Sequence, residues 1–150
     1  MSETEILLGM AEVIAGSLKN KLVNKPEIQS VAFYSVPPTR NTDLDILIVR
    51  NNDTPELNDI LQQISSLHKI PVDTWILSPE QLTLRMKRIA GVGRGKPKIF
   101  EKIAEWKGFG FVPITGSEFL KKTIENCYSQ PEPGGPIPPT PEEHIQFTPK

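Results

Sequence analysis

Asp43-Leu44-Asp45-Ile46-Leu47-Ile48-Val49 is the stretch on which the reading of this chain turns. Its nearly continuous apolar, β-branched content suits a strand covered on both faces. Side chains alternate across a strand, so Asp43 and Asp45 share a face, roughly 6–7 Å apart at the α-carbons. Leu47 and Val49 carry that face inward, so two carboxylates mark one end of a strand whose other end is core. The same alternation along Pro71-Val-Asp-Thr-Trp-Ile-Leu77 puts Asp73, Trp75 and Leu77 together. If the two strands pair in register, Asp73 joins Asp43 and Asp45. Three such carboxylates repel one another and rise in pKa. A divalent cation removes that penalty, and Mg²⁺ takes oxygen ligands of this kind together with substrate phosphates. The ordinary reading of an Asp-x-Asp at a strand end is a solvated terminus. Asp73 and the apolar frame around all three aspartates argue for the metal site.

Outward from this pair of strands, helical and strand signals alternate. Ser2 and Glu5 form a capping box, and Ile6, Leu7, Met10, Ile14, Leu18 and Leu22 follow at helical spacing. Pro26 predicts the end of that helix near Asn24. Ser30–Val36 reads as a strand stopped by Pro37-Pro38. Thr54 and Pro55 predict a helix start, with Leu57, Ile60, Leu61, Ile64 and Leu67 as its apolar stripe. Ser78-Pro79-Glu80-Gln81 is a second capping box, and Gly91, Gly93 and Gly95 close the helix it opens. Lys98–Trp106 is expected to be helical, Phe109–Ile114 a short strand and Ser117–Tyr128 a last helix, with Phe119, Leu120, Ile124 and Cys127 on one side. The fold class predicted is α/β, a mixed three- to four-stranded sheet with flanking helices mainly on one side.

At 150 residues the chain can bury one modest core. Residues 1–129 are expected to form the domain. Residues 130–150 are expected to be a proline-rich flexible tail: seven of the fifteen prolines fall in Pro131–Lys150, with few large apolar side chains among them. The net charge of −1 gives no basic footprint for nucleic acid. Cys127 is the single cysteine, which excludes an internal disulfide framework. The acidic N-terminus is unlike a secretory signal, and no apolar run is long enough for a bilayer span. A cytoplasmic location without membrane attachment is the expectation.

Phe33-Tyr34-Ser35, Asp43-Leu44-Asp45 and Val72-Asp73, continued by Leu77-Ser78-Pro79-Glu80-Gln81, together resemble the nucleotidyltransferase superfamily, whose core is like the polymerase beta palm. The likeness runs from about Ser30 to Leu82 and is strongest to the small, minimal members. It implies a strand ending in Gly-Ser, a strand carrying Asp-x-Asp and a third aspartate on a later strand. It also implies roles: Asp43 and Asp45 hold two Mg²⁺ ions, and Asp73 is both a metal ligand and the catalytic general base. Ser35, with Thr39 and Arg40 as further donors, contacts the nucleotide. The implied reaction moves a nucleoside monophosphate from a nucleoside triphosphate, expected to be ATP, to a hydroxyl or phosphate acceptor. The acceptor is a partner protein, a small molecule or an RNA end, with nucleic acid not favoured. Small members also serve as the antitoxin of a toxin–antitoxin pair, which makes a cognate toxin the implied protein partner. Tyr34 stands where the family has glycine, and only seven residues separate Ser35 from Asp43. The alternative is therefore a catalytically inactive protein of the same fold, kept as a binding or interaction module.

Arg85, Lys87, Arg88, Arg94, Lys96 and Lys98 form a basic run without an acid, around Gly91-Val92-Gly93-Arg94-Gly95. Arg94 and Lys96 are candidate phosphate contacts. The plainer reading is a helix end whose cations complement the helix dipole. Trp75, Trp106, Phe109 and Phe111 read as core. His68 and His144 lack metal-ligand spacing and receive no role.

Overall fold

The two capping boxes set the first and third helices. Ser2 accepts from the Glu5 amide and Ser78 from the Gln81 amide, while the Glu5 and Gln81 side chains accept from the cap residues' own N–H groups. The computed structural model describes residues 2–150. Its helices are α1 (Glu3–Leu22), α2 (Leu57–His68), α3 (Pro79–Gly91) and α4 (Ser117–Ser129). Its strands are β1 (Ile28–Ser35), β2 (Leu44–Arg50), β3 (Val72–Leu77), β4 (Lys98–Ile99), β5 (Gly110–Thr115) and β6 (His144–Phe147). The class is α/β, and the sheet is mixed, with six strands in the order β4-β5-β1-β2-β3-β6 rather than the three or four expected. β2 and β3 run parallel through the α2 crossover, whereas β1 is antiparallel to both β2 and β5.

Helices cover both faces of this sheet, rather than mainly one as expected. Ile14, Leu18 and Leu22 of α1 and Leu57, Leu61 and Ile64 of α2 pack with Phe33, Ile46 and Ile48 into the larger core. Leu82 and Met86 of α3 and Leu120, Ile124 and Cys127 of α4 pack with Ala32, Leu47, Val49 and Leu77 on the other side. The central strands are apolar on both faces for this reason.

Three local expectations change. Lys98–Trp106 is not a helix: Lys98–Ile99 pairs with β5, and Ile103–Glu105 makes a single 3-10 turn. Ile99 packs against the second core while Ile103 and Trp106 pack into the first, and one helical stripe cannot serve two faces. α2 begins at Leu57, because the Thr54 hydroxyl donates to Glu27 at 3.2 Å instead of capping the helix. The third change concerns the C-terminal segment.

That segment is folded onto the domain, unlike the flexible tail expected for residues 130–150. Arg88 donates to the carbonyls of Gly134 and Gly135, and Arg85 donates to those of Ile137 and Pro138. Arg85 also pairs with the buried Glu143 at 2.7 Å. Gly91 lets the Glu132 backbone pass: a Cβ there would lie 1.8 Å from the Glu132 carbonyl oxygen. β6 then adds antiparallel to the free edge of β3, with Phe147 reaching the larger core. Main-chain carbonyls and a strand edge do the holding, so the segment does not need many large apolar residues.

Candidate functional site

The parallel ladder of β2 and β3 places Leu44 opposite Val72, Asp45 opposite Asp73 and Leu47 opposite Trp75. Paired residues on neighbouring strands face the same way. Asp45 and Asp73 are therefore adjacent on the face that carries α3 and α4, and Asp43, two residues before Asp45, lies on it too. The β1–β2 register, extended by one residue from Phe33–Ile46, sets Tyr34 beside Asp45. Phe111 of β5 pairs with Tyr34, and Gln146 of β6 pairs with Asp73. One row across the sheet thus reads Phe111, Tyr34, Asp45, Asp73, Gln146.

The electrostatics follow from this crowding. Burial, then the charges of Asp73 and Asp43, push the Asp45 carboxyl up to about 7, with the Ser35 hydroxyl acting weakly in the other direction. Burial, then the charges of Asp45 and Asp73, raise the Tyr34 hydroxyl well above the usual tyrosine range, with the Trp75 indole N–H lowering it somewhat. Ser35, the last residue of β1, is in the left-handed region at φ 75°. That conformation is uncommon for a side-chain-bearing residue.

Strand β6 supplies two partners that the sequence reading passed over. His144 Nε2 lies 2.9 Å from Asp73 Oδ2, and the His144 ring sits 4.7 Å from that of Trp75. The Gln146 amide donates to Asp43 Oδ2 at 2.5 Å. His144-Ile145-Gln146-Phe147 alternates polar and apolar, a strand signal hidden by the prolines before it. Asp43 and Asp73 thus turn toward β6. Among the described residues, no three His, Cys, Asp or Glu side chains are already drawn to a common metal-ligating point.

The other candidates lie elsewhere. Thr39 hydrogen-bonds Thr42 within the turn, and Arg40 faces Glu3 of α1 at 3.8 Å. Both line a cleft with Ile6, Leu7 and Met10 rather than with the aspartates. Lys96 pairs with Glu125, and Arg94 lies near enough to Tyr128 to oppose the upward shift that burial gives it. Both cations belong to the α4 side. Only Ser35 among the nucleotide and phosphate candidates reaches the carboxylates.

An apolar cavity of about 300 Å³ adjoins the aspartates on the same face. Its walls include Tyr34, Leu47 and Trp75, which are the neighbours of Asp45 and Asp73 along and across the strands. Comparison with protein-family models, with curated proteins and with solved structures found no match. No helix among the described residues is long and apolar enough to cross a membrane.

Proposed function

We propose that the chain is a metal-dependent nucleotidyltransferase, with Asp43, Asp45 and Asp73 holding Mg²⁺ and a nucleoside triphosphate as donor. The observation that carries this reading is the pairing of Asp45 with Asp73 in the parallel ladder, with Asp43 on the same face and Asp45 raised to about 7 by burial and by both neighbours. An all-oxygen set with unneutralised charge suits hard Mg²⁺. Bound there, the two ions would neutralise charge on the attacking and leaving oxygens of an in-line displacement. Asp73 would accept the proton of the acceptor hydroxyl, with His144 fixing its orientation. Gln146 and His144 each hold only the Oδ2 oxygen of Asp43 and Asp73, so on those two oxygens alone β6 would compete with Mg²⁺.

A second reading has its own support. Thr39 and Arg40 face α1, and Tyr34 occupies the place of the glycine that would let a triphosphate approach the backbone. Both favour a protein of this fold that binds a partner, such as a toxin, without turnover. Incubation with Mg²⁺ and each of the four nucleoside triphosphates, read as pyrophosphate release, separates the two. Release that Asp45→Asn abolishes supports the transferase. No release with any triphosphate, with the acceptor candidates present, leaves the binding module.

A further inference from the structure

The cavity beside the carboxylates lies between the sheet, α3 and the returning C-terminal segment. Leu47 and Leu77 contribute from the sheet, Met86 and Ile89 from α3, and Pro136 and Ile137 from the returning segment. Tyr34, Trp75, Phe109 and Phe111 add four aromatic side chains. Phe109 is 64% exposed, an unusual position for a phenylalanine with a cavity at its side. A volume of about 300 Å³ is at the lower end of small-molecule sites and takes one or two fused rings.

The charged group of its lining, Arg85, is already engaged. The Arg85 guanidinium donates to Ile137, Pro138 and Glu143, and lies 5.1 Å from the centre of the Trp75 ring. The Trp75 indole lies near the Tyr34 hydroxyl. A purine or pyrimidine edge would find no free charged partner there, and burying its polar atoms unpaired is costly. A charged ligand would be worse placed still.

We infer that this cavity is a binding site for a small, neutral, ring-bearing apolar molecule, whose one polar end projects along the sheet face toward Asp45 and Asp73. The distance suits such a ligand: Leu47 and Trp75 are each two residues from a carboxylate, roughly 7 Å along the strand. Resting on the transferase reading, the ligand is the acceptor and its polar end a hydroxyl. Its oxygen would bond to the α-phosphorus of the nucleoside triphosphate as the bond from that phosphorus to the α–β bridging oxygen breaks. Pyrophosphate leaves, and the hydroxyl proton passes to Asp73.

2-Naphthol is a suitable probe, titrated into the full chain by calorimetry without metal or nucleotide. The expected result is saturable one-to-one binding, weakened at least tenfold by Ile89→Trp, which fills the cavity. Phe109→Ser, at an exposed position where folding is not at risk, should weaken it severalfold. Circular dichroism confirms that each variant is folded. No saturable binding to the parent chain, or affinity unchanged in both folded variants, overturns the proposal. Competition by ATP for the same site also overturns it, since the cavity would then take the nucleotide. The transferase reading fails separately. Naphthol binding that persists without pyrophosphate release keeps the site and removes only the acceptor role.

Discussion

The two faces of the sheet are built from the same strands and do different things. On the α1/α2 face, Phe33, Ile46, Ile48, Leu57 and Leu61 are fully enclosed, and Phe33 stacks on Trp106 at 5.7 Å. On the α3/α4 face the apolar packing is smaller and stops short of Asp43, Asp45 and Asp73, leaving a cavity between. Alternation explains how one strand can serve both ends: Leu44, Ile46 and Ile48 seal one side while Asp45, Leu47 and Val49 shape the other. Stability resides mainly in the first face, which leaves the second free to carry crowded charge.

That contrast breaks first under core truncation. Phe33→Ala should cost about 3–5 kcal/mol, because it removes a wholly buried ring and leaves a void. Leu82→Ala on the other face widens a cavity that already exists and should cost about 2 kcal/mol, the low end for such a change. Urea unfolding of both variants measures the difference. Equal costs would remove the distinction between a structural face and a site face.

Next in size is the strap over the second face. Arg85→Ala removes the hydrogen bonds to Ile137 and Pro138 and leaves Glu143 without its charged partner. A loss of about 2–3 kcal/mol is expected. Amide exchange should quicken from 131 to 147 and stay slow in α1 and β1. Protection unchanged across 131–147 would show that β6 pairing alone holds the segment.

The smallest expected effect has the opposite sign. Asp45 is raised from 3.8 to about 7 in the folded chain, so the folded state binds more protons than the unfolded state between those values. Stability contributed by this group is full below pH 4 and is lost as pH rises toward and through 7. Asp45→Asn removes the charge and should stabilise the protein at pH 7.5 by about 1–2 kcal/mol, after allowing for solvent screening at a half-buried group. At pH 5 the gain should shrink. A variant less stable than the parent at both pH values would mean that Asp45 is held by bonds rather than crowded by charge.

Legibility in the sequence followed physical locality. Capping boxes at Ser2 and Ser78 and the apolar alternation of β2 and β3 depend on neighbours within four residues, and so they can be read from spacing. The direction of Asp43, Asp45 and Asp73 needed only the period of two. β6 was not legible by the same means, because its place is decided by Arg85 and Arg88 capturing carbonyls about fifty residues away. His144 and Gln146 were missed with it. The sides on which Thr39 and Arg40 lie depended on the course of a seven-residue turn that no periodicity describes.

Thermal melting at pH 7.5 with increasing Mg²⁺, for the parent chain and for Asp45→Asn, tests the metal site most directly. A ligand that binds only the folded state stabilises it by mass action, by about 2.7 kcal/mol at a hundredfold excess over its dissociation constant. The expected result is a melting temperature that climbs with Mg²⁺ in the parent and stays flat in Asp45→Asn. A parent chain indifferent to millimolar Mg²⁺, with and without ATP, would contradict a metal site at Asp43, Asp45 and Asp73.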